Sequence, residues 1–249
     1  MRGPQAGEAT LSNTIKHSLV LFQQLKLPLL LTAFGWIGLT KLVQYIVGLI
    51  TVGYAAPVLG LVEMVVEPVL LFGLARLCFD TLTGKHGFNT VGVGEDVRQA
   101  IFSGFTQGRV WAFAASYFLL VIPWVLVIVV LLFFLILVPG LVAFLDPIIQ
   151  ILTVPLETVS HLAVVLLAIG PIGTWKAWGR SLKLSFRHIL ICMFAFSCLK
   201  LFNAIAVYTV LIGLITWPLM ITYAAVAVWL LQAAGKDADL IEMDQALAA

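Results

Sequence analysis

The chain has 249 residues, of which 62% are apolar and only 10% charged, against roughly 25% charged in an ordinary soluble domain. Mean hydropathy is +1.10, and a soluble fold of this size cannot hide that much apolar surface. A soluble enzyme, a disordered chain and a disulfide scaffold are thereby excluded. The net charge of +2, with no basic run carrying interleaved aromatics, argues against a nucleic-acid partner.

These numbers predict an all-α, polytopic transmembrane bundle. Crossing the hydrocarbon core takes about 20 apolar residues, and windows of that length give six spans: Leu27–Gly53, Pro57–Phe79, Val110–Val138, Pro155–Trp175, Ile189–Leu214 and Pro218–Ala234. The N-terminal segment, residues 1–26, is polar to amphipathic. It has no compact apolar stretch ending in a small-residue cleavage site, so the first span is expected to act as its own insertion signal.

Lys41 lies in the first span, and Glu63 and Glu67 lie four apart on one face of the second. Intramembrane ionisable groups cost about 2.5–3.5 kcal/mol each on insertion scales. Counted from the turn between these spans, Lys41 and Glu67 sit at the same depth, roughly 15–16 Å from the outer end. They are expected to form an ion pair, with Glu63 as a second carboxylate available to a relay. Pro68 follows Glu67 and frees a carbonyl one turn earlier.

The stretch from Gly84 to Asp96 is glycine-rich, but it carries neither a Gly-Lys-Ser/Thr sequence nor a dinucleotide fingerprint. It reads as a linker. A basic amphipathic segment follows, RQAIFSGFTQGR, running from Arg98 to Arg109. The third span is long for one crossing, and Pro123 predicts a kink or strong tilt. Pro139–Val154 is expected to be an outer interfacial or re-entrant segment. Glu157 and His161 open the fourth span at i, i+4 spacing, with Asp146 before them. They lack further ligands nearby, so no metal and no cofactor are expected.

Arg180, Lys183 and Arg187 recur on one helical face, with Leu182, Phe186 and Ile189 on another. Such a helix lies in the headgroup plane against anionic lipid. The fifth span holds Lys200 with Asn203 one turn on. The tail, residues 235–249, is acidic: Asp237, Asp239, Glu242 and Asp244 oppose one Lys236. It is expected to be either solvated or docked by its apolar edge, because an anionic leaflet repels it. Cys78, Cys192 and Cys198 all lie in apolar stretches and read as free thiols. Tyr54, Trp111, Trp175, Trp178 and Trp217 fall near span ends, as in an aromatic belt.

Of the 14 Lys and Arg, all but Lys41 and Lys200 fall in the N-terminus, Arg76–Arg109, Lys176–Arg187 or Lys236. Six spans place all of these on one side. The expected topology is therefore multi-pass in the inner (plasma) membrane with both termini cytoplasmic. Lys16, Arg98 and Arg180 recur about 82 residues apart, and Pro57, Pro139 and Pro218 about 80 apart. The chain reads as three copies of one unit (basic amphipathic helix, span, outer turn with proline, span) near residues 16–79, 98–175 and 180–234.

The last copy ends in the run Trp217-Pro218-Leu219-Met220-Ile221-Thr222-Tyr223. On this pattern, from Arg98 to Gly235, the chain resembles uncharacterised bacterial six-helix inner-membrane proteins built from repeated basic-amphipathic-helix plus two-span units. That resemblance carries no activity and no catalytic residues.

No nucleophile triad is legible, and little mass lies outside the spans, so no enzymatic activity is expected. The first functional expectation is an accessory, scaffold or assembly subunit that packs against partner membrane proteins and lipid. Its basic interfacial residues are Lys16, Arg98, Arg109, Arg180, Lys183 and Arg187. The alternative is a transporter or permease using the buried Lys41, Glu63, Glu67 and Lys200. The topology is tested with an impermeant thiol reagent on intact cells. A cysteine placed at Gly84 should stay unlabelled and one within Pro139–Val154 should react; labelling at Gly84 would overturn the assignment.

Overall fold

The computed structural model describes residues 8–50, 55–85, 94–136, 145–194, 196–198 and 210–235. Lys200 and the acidic tail beyond Gly235 lie outside them. The described residues form helices only. In chain order these are α1 (Leu11–Gln24), α2 (Lys26–Ile50), α3 (Ala55–Leu82), α4 (Glu95–Thr106), α5 (Gly108–Ile136), α6 (Leu145–Ile169), α7 (Thr174–Arg187), a π-helical turn (Leu190–Phe194) and α8 (Val210–Ala233).

Among the described residues, two helices are long and apolar enough to cross a membrane, through Lys26–Val43 of α2 and Leu214–Ala233 of α8. A third candidate is a bent pair, α7 with Leu190–Cys198, at 96°. The apolar exterior fits the same solvent: Phe34 on α2 is 67% exposed, and Leu126 and Phe133 on α5 are 61% and 66%. Large exposed apolar patches of this kind need lipid or a partner to cover them.

The core is formed by α3, α6 and α8, which pack on one another. Val69–Ala75, Leu162–Leu167 and Met220–Val228 are buried almost without a break. A helix that is apolar all round has no water-facing side, so it takes the centre of the bundle. All three core helices contain a proline, at Pro68, Pro155 and Pro218. Each lies about four turns before the C-terminal end of its helix.

This differs from the expected layout in three places, the first two at prolines. Pro218 lies inside α8, not in a turn before it. Leu145–Val154, expected as a separate outer segment, is the first part of α6 and runs through Pro155 without interruption. The reason is common to both. Where water cannot satisfy freed backbone groups, the helix continues through a proline and loses only the bond that proline removes. At its other end α6 stops at Ile169, short of the expected Trp175, because Gly170-Pro171-Ile172-Gly173 breaks it before α7 begins.

The short helices do not merely prefix the long ones. α4 packs on α3, α7 on α6, and α1 on α8. Each offers small or polar side chains to its seat: Thr14 and Ser18 on α1, Ser181 and Ser185 on α7. Ser18 Oγ donates to the Thr14 carbonyl at 2.6 Å, so its hydroxyl is satisfied within its own helix. α7 thus has three faces: a buried one with Ala177, Trp178 and Leu184, an exposed apolar one with Leu182 and Phe186, continued past its end by exposed Ile189, and the exposed cations Lys183 and Arg187.

The closest backbone approach joins α3 and α4. A Cβ built on Gly73 would lie 1.9 Å from the Ile101 carbonyl oxygen, and one on Gly104 would lie 2.2 Å from that of Val69. Neither carbonyl can step aside without moving its helix. Gly73→Ala and Gly104→Ala are each expected to destabilise the protein by about 1–3 kcal/mol or more, as overpacking does. Gly35→Ala and Gly38→Ala, with nothing within 4 Å, should leave thermal unfolding in detergent unchanged.

Candidate functional site

A polar cavity of about 330 Å³ lies at the centre of the bundle, and all five long helices line it. α2 supplies Trp36 and Thr40, α3 Glu67, α5 Phe113 and Tyr117, α6 Glu157, Ser160 and His161, and α8 Thr216 and Trp217. On each core helix the polar residues cluster at the proline: Glu67 precedes Pro68, Glu157 follows Pro155 by two, and Trp217 precedes Pro218. The cavity thus forms where three helices each lose a backbone hydrogen bond.

Glu67 is half-buried and its Oε1 accepts from the Trp217 indole Nε1–H at 2.7 Å. The bond ties α3 to α8. Opposite it, the Glu157 carbonyl oxygen accepts two side-chain bonds, from Ser160 Oγ at 2.9 Å and from His161 Nδ1 at 2.8 Å. A carbonyl only accepts, so Nδ1 carries a hydrogen in this bond. His161 is 5% exposed, and its ring meets that of Phe196 edge-on at 5.4 Å.

Tyr117 lines the same cavity as Glu67 and Glu157. Its ring is stacked on Trp178 of α7 at 6.1 Å, and Phe113 stacks on the same indole at 4.7 Å. Trp178 Nε1 donates to Ser116 Oγ at 2.9 Å. A short amphipathic helix therefore props one wall of the cavity. Tyr223, six residues after Trp217, donates its hydroxyl to the Ile191 carbonyl in the π-helical turn.

Glu67, Glu157 and His161 are the residues singled out by sequence that the structure brings to one cavity. Lys41 is on the exposed side of α2, one residue past cavity-lining Thr40. Glu63 lies one turn before Glu67 on α3, with its side chain outside the described residues. Among the basic residues, Lys16, Arg98, Lys183 and Arg187 are exposed, and Arg109 and Arg180 are half-buried.

Two tryptophans expected in an aromatic belt are instead interior. Trp178 is 6% exposed and Trp217 lines the cavity. Each buries its N–H against a specific acceptor. Trp36, Tyr117 and Thr216 were not expected at a site at all. Their only sequence signal is polarity within an apolar window. Among the described residues, no group of three or more His, Cys, Asp and Glu is placed to hold a metal ion. The three cysteines are free thiols.

Trp217→Phe keeps the ring but removes the donor to Glu67. It should lower stability by about 1.5–3 kcal/mol, the range for a hydrogen bond to a charged group. Glu67→Gln keeps an acceptor oxygen and should cost less, and the double variant should cost less than the sum of the two. Thermal unfolding of the purified protein reads all three. No family model, no curated protein and no solved structure matches this chain.

Proposed function

We propose that the protein is a membrane permease that binds a small, positively charged or protonatable solute in the central cavity. The observation that carries this reading is the placement of Glu67, Glu157 and His161 in one polar chamber lined by all five long helices. Two carboxyl groups and an imidazole in an apolar bundle are costly. A structural role would require only that each be tied off, and would not require a chamber of about 330 Å³ around them. Proline-interrupted helices meeting at the site are a feature that transporters use to expose backbone carbonyls to a solute.

The same reading takes the chain as six spans with both termini cytoplasmic, built from three repeated units in the inner membrane. Two observations support the repeat. Each short helix seats on the core helix that precedes it cyclically, α4 on α3, α7 on α6 and α1 on α8. The three core prolines share one register from the ends of their helices. The accessory-subunit reading is favoured by the exposed apolar surface of α2 and α5, which a partner would cover as well as lipid. It gives the chamber no role.

Proteoliposomes loaded with a pH-sensitive dye test the proposal. A panel of small amines, amino acids and inorganic cations is added outside. At least one should change internal pH in the wild type, and Glu67→Gln with Glu157→Gln should reduce that rate at least tenfold. If the wild type behaves as empty liposomes across the panel and a mild-detergent pull-down returns a stoichiometric membrane partner, the subunit reading replaces transport.

A further inference from the structure

We propose that a second site, at the basic end of the bundle, holds a phosphate-type anion between α3, the start of α5 and the end of α6. A pocket of about 390 Å³ there is lined by Arg76, Asp80, Lys85 and Arg109, with Gly170 and Pro171 closing it. It is separate from the central cavity, and the two share no lining residue.

Among the described residues, three cations and one carboxylate line this pocket. Asp80 meets Arg76 Nε at 3.8 Å through Oδ2 and Lys85 Nζ at 3.7 Å through Oδ1. Both distances exceed the roughly 2.7–2.9 Å of a strong charge-assisted bond. One carboxylate spread over two cations at that range leaves the pocket with surplus positive charge.

Arg109 supplies the third cation and is rigidly held. Its Nε donates to Gln107 Oε1 at 2.9 Å and its Nη1 to the Gly170 carbonyl at 2.8 Å. Its flat face lies over the Phe72 ring, 5.5 Å from the centroid. These contacts fix the guanidinium plane and leave Nη2 to donate elsewhere. Burial, and next to it the charge of Arg76, hold Arg109 below the usual guanidinium range. Two guanidinium groups therefore repel one another across the pocket, and a bridging anion relieves that repulsion. Oxygen-rich tetrahedral anions suit a pre-oriented guanidinium beside a lysine.

Capping of the α6 C-terminus by Arg109 accounts for one of the three cations. It does not account for the approach of Arg76 and Lys85. Basic pockets between membrane helices take lipid phosphates, and free inorganic phosphate offers the same chemistry.

The test uses the full chain in nanodiscs and follows the thermal unfolding midpoint. One arm adds phosphatidylglycerol to phosphatidylcholine discs; the other adds inorganic phosphate to pure phosphatidylcholine discs, with chloride at matched ionic strength. At least one arm should raise the midpoint. Arg76→Gln with Lys85→Gln should weaken the effect about fivefold per cation removed. Lys176→Gln, at an exposed position of α7, should keep it. If the double variant in the pocket fails to fold, Lys85→Gln alone serves, since that side chain is 71% exposed. A response to the lipid arm only assigns a headgroup, and a response to phosphate in phosphatidylcholine assigns the free anion. No response in either arm, or equal loss in the pocket and α7 variants, overturns the proposal.

Discussion

A carboxyl group inside an apolar bundle must be given a donor, and the bond from Trp217 to Glu67 organises much of what surrounds it. It spans two of the three core helices. It requires α3 and α8 to meet at one register, with Pro68 and Pro218 adjacent to the bonded residues. Once that register is set, the chamber follows. A proline on each helix removes a backbone donor, and the polar side chains of α6 occupy the third side. The interior is polar because the helices are interrupted at matching levels, and the turns that follow the prolines on α3, α6 and α8 are buried almost without a break.

The short helices contribute close approach as well as buried apolar side chains such as Leu21, Ile101 and Leu184. Gly73 and Gly104 bring α3 and α4 to backbone contact, and the hydroxyls of Thr14, Ser18 and Ser181 bond within their own helices. For helices in lipid, packing gains little from burial and depends on fit, and contacts of this kind suit that setting. Trp178 is the largest of these buried side chains. It is accommodated because its ring stacks flat on Phe113 and its N–H has Ser116.

Hydropathy made the helical class and the existence of the long helices legible. The cost of intramembrane charge pointed to Lys41, Glu63, Glu67 and Lys200, of which Glu67 lines the cavity, while Glu157 and His161 stood out only by their i, i+4 spacing. Sidedness was not legible. In water, burial of one face writes a period into the sequence; in lipid both faces of a helix are apolar, so α3 and α8 look alike on every side although they are the core. Trp178 and Trp217 mislead for a related reason. A tryptophan near a span end satisfies the belt pattern, and only its acceptor on another helix distinguishes an interior one. Gly73 is one glycine in an apolar run, and its necessity lies in the carbonyl of Ile101, on a different helix. Arg109 shows no difference in sequence from the exposed cations until Gly170 and Phe72 are placed beside it.

The π-helical turn at Leu190–Phe194 has a mechanical consequence. A π turn holds one residue more than an α turn, and such insertions are found at points where helices rearrange. Conversion of this turn to α geometry would swing everything beyond it by about 100° around the axis. The ring of Phe196, now set against His161, lies beyond the turn and would rotate away. The clasp on the turn is Tyr223, through its hydroxyl and the Ile191 carbonyl. α8 is therefore tied to this turn twice, by the Tyr223 hydroxyl on Ile191 and by the edge-on contact of the Tyr223 ring with Phe196 at 6.0 Å, so the turn cannot change its pitch without disturbing its contact with α8.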